Sequence, residues 1–567
     1  MKTISNHPIV AGLVALGLAC GAQAATLTVT TTADSGPGSL RQAIAEAASG
    51  DTIDFAESLA GQTIVLTSGE LLIQKSLNIV GLGTDDLIIS ASRLSRVLRV
   101  VLTEGDTVNV SELTLADGLD PNGFGGCVYH QGGTLNLSDV VVRNGFAVYY
   151  GGGIYHDEGV LTLTRCVVSF NSGSYADGGG LFCGRGTVHI DQSVIASNNA
   201  GTGIGGGILL WGYRGSRLEL NQSTLTANSA EGAGGGLAVL GGTALITQCT
   251  IASNTCGSGA GGIEEFQAAW AEEPPQVTLL HSTLAGNQGA IGGLGHFFGT
   301  LAIGHTILAS QPNYEGLGSY YPDAVVSLGF NLCDDSTCAL FLTQPSDLNN
   351  TPAGLDPNGL QDNGGFTPTI ALLPDSPAVD AGDSAFVPPP YFDQRGEGFP
   401  RVVNGRIDIG AFELQALPQV PPRLAKKQVR DDLVALRATA ITQLIKFDLA
   451  IRHLTKSIDA KKWRDDWHPK RLGCGQSVFE RERSAVRLML ELKAEYPAVQ
   501  DLIDRLVNVD RVLAQIAIEE ATARGGRPAK IAAAQEYFQQ ADAKVQAGDF
   551  TEAIQLYKKA WKNAVGA

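Results

Sequence analysis

The acidic side chains in the middle of the chain are the first residues that could do chemistry. Hydrolysis of a glycosidic bond needs two carboxylates across a groove, whereas β-elimination needs a base near a charge-neutralising cation. The acidic candidates are Asp157, Glu158, Glu264, Glu265, Glu272 and Glu273. Adjacent residues of a strand point to opposite faces, so Glu264 and Glu265 are not expected to act together. Of the six, Asp157 and Glu265 are the candidates for catalytic residues.

Basic residues that would assist such a reaction are few. Between Gly105 and Pro390 the chain has five arginines and no lysine. So acidic a segment would repel a polyuronate unless calcium bridged the two. Calcium is compatible with a lyase, but no residue pattern indicates a site for it, and no cofactor is predicted. A binding or structural role is favoured, with a polysaccharide lyase or glycoside hydrolase as the alternative.

Three aromatic residues recur at equivalent positions and could bind a ligand. They are Tyr129, Tyr155 and Phe182, followed in turn by His130, His156 and Cys183. In strands the two sets point to opposite faces, so the aromatic stripe faces outward if the preceding aliphatic residues face the core. Outward rings would suit sugar rings or a partner surface, unless neighbouring loops cover them. The inner set is interpreted as interior lining, and no metal site is predicted.

These residues belong to a repeat that must position them. A glycine cluster followed by an aliphatic residue recurs with spacings of 26, 27, 27, 29, 26 and 31 residues, at Val128, Ile154, Leu181, Ile208, Leu237, Ile263 and Leu294. Alternating, β-branched segments such as Val160–Thr164 separate the clusters, and units of this length bury their apolar faces only by stacking. The sequence predicts a mainly β fold, a right-handed parallel β-helix solenoid.

A column of asparagines in the same phase predicts a structural ladder. Its members are Asn144, Asn171, Asn198, Asn228, Asn254 and Asn287. Each asparagine would occupy a turn in which the residue tolerates left-handed backbone. Its amide would hydrogen-bond the equivalent amide in the next coil.

Composition divides the chain into six segments. A polar start, an apolar run from Ile9 to Ala19 and small residues at Ala22 and Ala24 indicate a secretory signal peptide. The predicted segments are 1–24, signal peptide; 25–124, N-terminal cap and first coils; 125–326, glycine-rich coils; 327–414, C-terminal cap; 415–427, proline-containing linker; and 428–567, a small α-helical bundle. About five helices are expected in the bundle.

Three further groups have both a chemical and a structural interpretation. Cys333 and Cys338 bracket four residues and would form a disulfide or, with further ligands, a metal site. In the C-terminal cap, pairing among the charges is favoured over an active site for Asp393, Arg395, Arg406 and Asp408. In the tail, core and loop positions are favoured over an exposed patch for Trp463, Trp467 and His468.

Both ends of the solenoid resemble known families. The segment GSLRQAI, residues 38–44, resembles the N-terminal cap of secreted β-helix proteins with a CSLREA-type motif, without its cysteine. Leu328–Glu413, which includes GFNLCDDSTC and GRIDIGAFE, resembles choice-of-anchor Q domain proteins. That resemblance implies a pectin-lyase-like β-helix displayed outside the cell and carries no established reaction. In the tail, the hairpin from Pro528 to Asn563 resembles one tetratricopeptide repeat.

Charge separates the tail from the solenoid and limits the partners. From Arg423 onward the chain has 26 Lys and Arg against 19 Asp and Glu. Before Arg423 it has 14 Lys and Arg against 38 Asp and Glu. Nucleic acid is not expected to bind the acidic part, and no segment after the signal peptide would cross a bilayer. We expect an exported, adhesin-like protein, extracellular or at the bacterial surface with the periplasm as an alternative, that binds a glycan or envelope component. The basic tail would hold it near the anionic envelope; the oligomeric state stays open.

Overall fold

The chain divides into two compact units, one ending at Leu414 and the other starting at Gln415. A computed structural model describes residues 24–120, 122–213, 215–267, 271–309, 317–319, 324–403, 406–415, 421–470 and 472–567. The predicted signal peptide lies outside the described residues except for Ala24.

The first unit is a parallel β-solenoid of about 11 turns over residues 26–333. Most turns contribute strands to three ladders. Two of these ladders merge into one sheet of 21 strands, because the long strands Thr107–Ala116 and Thr134–Arg143 run through the bend between them. The third ladder is a separate sheet of ten strands. The predicted parallel β-helix is thus confirmed.

The strands are short and their register repeats from turn to turn. The 21-stranded sheet comprises Thr26–Val29, Thr52–Phe55, Gln62–Val65, Leu77–Val80, Leu87–Ser90, Thr107–Ala116, Thr134–Arg143, Val160–Thr164, Val167–Ser169, Thr187–Asp191, Val194–Ala196, Arg217–Asn221, Thr224–Thr226, Thr243–Thr247, Thr250–Ala252, Gln276–Leu280, Thr283–Ala285, Thr300–Gly304, Ile307–Ala309, Val325–Gly329 and Leu332–Cys333. The ten-stranded sheet comprises Leu71–Ile73, Leu98–Val101, Val128–Gln131, Ile154–Asp157, Leu181–Cys183, Ile208–Leu210, Leu237–Val239, Ile263–Glu265, Leu294–His296 and Leu317–Ser319. Two small sheets pair Leu119–Asp120 with Phe146–Ala147, and Ser229–Ala230 with Thr255–Cys256.

The solenoid core is built from the aliphatic column of the repeat. Val128 pairs with Ile154 and Ile154 with Leu181, and all three side chains are fully buried. At the N-terminal end the short helix α1, Leu40–Glu46, covers the core with its apolar face. The Ser39 hydroxyl caps this helix by accepting a hydrogen bond from the Gln42 amide.

Five asparagines form a buried ladder along one bend of the solenoid. Its members are Asn171, Asn198, Asn228, Asn254 and Asn287. Asn198 Oδ1 accepts from the backbone N and the Nδ2 of Asn171, both at 3.0 Å. The Nδ2 of Asn198 donates in turn to Asn228 Oδ1 at 2.9 Å and to Val168 O. The side chain of Asn198 thus satisfies polar groups of both neighbouring coils.

Asn144 does not belong to this ladder. The sheet register pairs Arg143 with Ser169, so Gly145 is the residue opposite Asn171, and its N donates to Asn171 Oδ1 at 2.8 Å. Asn144 instead takes left-handed backbone, with φ +58°, and donates to Asp117. In the following coils the left-handed residue likewise precedes the ladder asparagine, as at Phe170. The expectation that the ladder residues are themselves left-handed is therefore wrong.

A disulfide closes the loop at the end of the last coil. Cys333 and Cys338 are joined with an S–S distance of 2.07 Å. Asp335 between them accepts from the Thr337 N at 2.8 Å. Cys333, Asp335 and Cys338 form the one group with the spacing of metal ligands among the described residues, and the disulfide occupies both of its sulfurs.

The remainder of the first unit lies along one side of the solenoid. Residues 353–414 do more than close the end, because their contacts extend back over several coils. Gln394 Nε2 donates to Thr224 Oγ1 at 2.9 Å, and Gly410 N donates to His305 O at 2.9 Å. We call residues 353–414 the flank segment.

The second unit is a helical bundle. Its described part contains six α-helices and one short 3-10 helix, against about five helices expected. They are α2, Pro422–Thr439; α3, Leu444–Ser457; the 3-10 helix Ala460–Lys462; α4, Leu472–Leu492; α5, Val499–Ala523; α6, Pro528–Gln546; and α7, Phe550–Val565. Helix α2 starts inside the predicted linker, because Pro422 favours the first turn of a helix. No helix in the described residues is long and apolar enough to cross a membrane.

Buried charges join three helices of the bundle. Lys426 of α2 lies between Glu482 of α4, at 3.0 Å, and Asp510 of α5, at 2.5 Å, and all three side chains are fully buried. Burial raises the pKa of Asp510 well above its ordinary value. The proton that Asp510 retains leaves a single negative charge on the two carboxyls, which balances the positive charge of Lys426. Helices α6 and α7 form the predicted hairpin, but α7 also packs on α4 and α5, so the hairpin belongs to a closed bundle.

Candidate functional site

The predicted aromatic stripe lies on the outer side of the ten-stranded sheet. Each strand alternates, so Val128 and His130 face the core while Tyr129 between them faces outward. Tyr129, Tyr155 and Phe182 occupy equivalent positions in adjacent strands. The ring centroids are 5.1 Å apart at both steps, with interplanar angles of 17° and 5°. The sheet register therefore stacks the three rings along the solenoid axis.

Stacking covers the faces of these rings. Tyr155 contacts Tyr129 on one face and Phe182 on the other, and the guanidinium of Arg99 lies 5.4 Å from the centroid of Tyr129. Tyr129 and Tyr155 are half-buried, and Phe182 is only 3% exposed. A ligand on this surface would meet the ring edges, since the sheet spacing of about 4.8 Å leaves no room between the rings.

Further aromatic residues from the bordering loops surround the stack. Phe124 meets Tyr155 edge to face at 5.2 Å. Tyr150 and Trp211 each contact Phe182, at 4.9 and 5.6 Å, and contact each other at 5.6 Å. These two residues therefore close the surface over Phe182. The surface stays more open over Tyr129 and Tyr155.

Two bordering tyrosines expose more of their rings. Tyr149 is 49% exposed beside Tyr150, and Tyr213 is 37% exposed beside Trp211. We call the surface formed by Phe124, Tyr129, Tyr149, Tyr150, Tyr155, Phe182, Trp211 and Tyr213 the aromatic face.

Arginine–carboxylate pairs border the aromatic face at both ends of the stack. Arg96 bonds Glu70 at 3.0 Å and Asp120 at 2.6 Å, with its guanidinium 5.0 Å from the centroid of Tyr129. Beyond Tyr155, Arg185 bonds Asp157 at 2.7 Å and also Glu158. The hydrogen bonds to Asp157, together with the charges of Asp157 and Glu158, raise the pKa of Arg185. The border therefore offers many donors and acceptors with little net charge.

The two catalytic candidates lie on opposite sides of the sheet. Asp157 is outside and accepts from Nε and Nη2 of Arg185. Glu265 is inside the solenoid, fully buried against His296, and burial raises its pKa. Four coils, roughly 19 Å, separate their strands. The structure does not bring Asp157 and Glu265 together, and Glu264 points outward as expected from strand alternation, bonded to backbone N–H groups.

One carboxyl of this region is absent from the candidates that the sequence suggests. Asp177 pairs with Tyr150 through the backbone and accepts from Ile204 N at 3.1 Å. Burial raises the pKa of Asp177 to about 6. In the sequence, Asp177 is marked only by its position directly before a glycine cluster. Its burial could not be predicted, because it depends on the loops of adjacent coils.

The inner polar column is an interior stack. His130 Nδ1 and His156 Nδ1 are 2.9 Å apart, and both rings are fully buried. Burial lowers the pKa of His130 to about 4, so the ring is neutral at physiological pH. Cys183 follows in the next coil, and burial raises the pKa of its thiol.

Charges of the flank segment pair with one another. Arg395 bonds Asp393 at 2.6 Å between the rings of Phe399 and Phe412, whose centroids are 4.0 and 3.8 Å from the guanidinium. Arg406 donates to Gly382 O at 2.6 Å. Asp408 accepts from the backbone N of Asp380 and Leu414. These contacts fit the structural interpretation of the four predicted charges.

The tryptophan-containing loop of the tail has both buried and partly exposed members. Trp463 is buried and donates Nε1 to Ser457 O at 2.8 Å. His468 lies between Asp465 and Glu520, at 2.7 and 2.8 Å. Trp467 and His468 border a cavity of about 140 Å³.

The chain matches no protein-family model and no curated protein.

Proposed function

We propose that this protein binds a glycan outside the cell through the aromatic face. The observation that carries the proposal is the concentration of aromatic rings and arginine–carboxylate pairs over adjacent coils of one sheet. The predicted signal peptide and the resemblance of Leu328–Glu413 to choice-of-anchor Q domain proteins also favour an exported, surface-displayed protein.

The chemistry of the aromatic face suits an uncharged sugar chain. Tyr149 and Tyr213 offer partly exposed rings on which a pyranose would stack. Arg185 is 47% exposed while bonded to Asp157 and Glu158, so its remaining donors can reach sugar hydroxyls without excess charge. The stacked rings beneath give the surface a rigid base.

The alternative function is cleavage of a polysaccharide. It draws no support from Asp157 and Glu265, because they lie on opposite sides of the sheet. Binding without cleavage is therefore the function that the geometry favours. Incubation of the purified protein with candidate polysaccharides and calcium, followed by assay for unsaturated products and new reducing ends, would reveal cleavage and overturn this choice.

Glycan binding is tested with the full chain on an array of bacterial envelope and host polysaccharides. Tyr149→Ala and Tyr213→Ala are each expected to weaken binding by about fivefold or more, the usual effect of removing an aromatic anchor. Tyr391→Ala is the matched control, since Tyr391 is 66% exposed on the flank segment. Absence of binding to every neutral glycan, or equal effects of all three substitutions, would refute the proposal.

A further inference from the structure

Helices α3 and α4 pack side by side in opposite directions. Lys446, near the start of α3, bonds Glu491, near the end of α4, at 3.0 Å. Because both helices advance 1.5 Å per residue, Lys456 on α3 and Arg481 on α4 come opposite each other. Arg452 on α3 and Arg487 on α4 lie nearer the salt bridge.

The groove between the two helices collects positive charge. We call Arg452, His453, Lys456, Arg481 and Arg487 the basic seam. Its arginines and lysine form no ion pair within the part of the tail that the structure describes. Arg452, Lys456 and Arg487 are exposed, whereas Arg481 and His453 are half-buried. Cations left without carboxylate partners on a surface attract an anionic ligand.

The imidazole of His453 interacts electrostatically with all four cations of the basic seam. Its Nδ1 is buried and has no hydrogen-bond partner among the described residues. Burial lowers the pKa of His453, and the charges of Arg481, Lys456, Arg452 and Arg487 lower it further. A bound anion would offset these charges and raise the pKa of His453.

The carboxylates around the basic seam are already engaged. Glu491 bonds Lys446, Glu480 bonds Lys558 at 3.3 Å, and Asp448 bonds Arg437 at 2.9 Å. With these carboxylates paired, the cations of the basic seam form a row about 9 Å long from Arg481 to Arg487. Such a row fits a linear polyanion.

We propose that the basic seam binds an anionic polysaccharide, whose charged groups pair with the cations of α3 and α4. The chain before Arg423 carries 38 acidic residues against 14 basic ones, a charge that a broad anionic membrane would repel. Residues 449–456 and 481–488 contain no Phe, Tyr or Trp on which nucleic-acid bases would stack. The site is independent of the aromatic face, and its ligand is charged rather than neutral.

The first test measures binding of the full chain to heparin and to dextran sulfate, with neutral dextran as the ligand control. The double variant R481Q/R487Q is expected to bind about tenfold more weakly or worse, and its slope of log affinity against log salt should fall by about two. The control variant R505Q/K544Q loses the same charge from cations that are paired with Asp432 and Asp549, and should match the original chain. The variant R452Q/K456Q, which removes two cations of the basic seam from α3, should weaken binding in the same way.

The second readout is the pKa of His453, followed by NMR of the full chain and identified with H453Q. Saturating heparin should raise this pKa in the original chain and not in R481Q/R487Q. Unchanged affinity in both seam variants, an equal loss in the control variant, or an unchanged pKa of His453 would overturn the proposal. Equally tight, seam-dependent binding of DNA or of phosphatidylglycerol vesicles would also overturn it, by assigning a different partner. The Tyr149 and Tyr213 variants should retain heparin binding, which separates this site from the aromatic face.

Discussion

Each ladder asparagine satisfies hydrogen-bonding groups that no water molecule reaches. Asn198 is fully buried, and its Oδ1 accepts two hydrogen bonds from Asn171 while its Nδ2 donates to Asn228 and Val168. Replacing it leaves buried polar groups in two neighbouring coils without partners. Because unsatisfied buried groups are costly, the effect on stability should exceed that of losing an exposed hydrogen bond.

Asn198→Leu is expected to lower the free energy of unfolding by about 1 to 3 kcal/mol. The measurement is urea unfolding of the full chain, followed by the β signal in far-UV circular dichroism. Asn136→Leu is the matched control, because the half-buried Asn136 also bonds an adjacent coil, in an exposed hydrogen bond that its Nδ2 donates to Asn109 Oδ1 at 2.8 Å. Its effect should stay within about 0.5 kcal/mol. Equal effects of the two substitutions would contradict a special role for the buried ladder.

The flank segment depends on a buried set of charges, and the balance of those charges sets its pH dependence. Arg395 and Arg401 face three carboxyls, those of Asp393, Asp408 and Glu413. All five side chains are buried, so one retained proton makes the set neutral. Burial raises the pKa of Glu413 to about 9 and that of Asp408 to about 6.

The stability of the solenoid unit should therefore fall as pH rises. The pKa of Glu413 in the folded protein lies above the ordinary value of 4.5, so its stabilising contribution is complete below that value and disappears as pH rises toward about 9. Glu413→Gln should flatten the decline between about pH 6 and pH 9, measured by urea unfolding at several pH values. Glu397→Gln, at an exposed position of the same segment, should leave the slope unchanged. A wild-type stability that is constant over this range would refute the buried proton.

At the level of the whole molecule, the chain consists of two compact units that meet in sequence between Leu414 and Gln415. Each has its own apolar core, one of stacked aliphatic columns and one of helix faces. Helix α2 begins at Pro422, and Lys426 is already buried in the bundle, so the connection is shorter than the sequence suggests.

Limited proteolysis with elastase or chymotrypsin should cut first between Leu414 and Pro422, because connections between compact units are preferred sites of cleavage. The released C-terminal fragment should keep a helical circular dichroism spectrum and unfold cooperatively. Early cleavage within α4 or α5, or an unfolded fragment, would show that the bundle depends on the solenoid for its stability.

The architecture can be predicted from periodicity alone, because a solenoid repeats the same local pattern in every turn. The aliphatic positions, such as Val128 and Ile154, align in adjacent strands as their spacing predicts, and alternation correctly places Tyr129 outside and His130 inside. Most ladder asparagines follow from the same period. These features depend on residues about one coil apart, so periodicity is sufficient to predict them.

Side-chain burial, and the contacts between segments that share no repeat, follow only from the three-dimensional fold. A one-residue offset moves Asn144 out of the ladder, and stacking at the strand spacing covers the ring faces of the aromatic stripe. The burial of Asp177 depends on the loops of adjacent coils. Packing of the flank segment along the coils and the meeting of α3 with α4 join residues that share no repeat. The burial and the electrostatic environment of a side chain depend on such three-dimensional neighbours. For that reason the architecture could be predicted from the sequence, whereas the surfaces available to ligands could not.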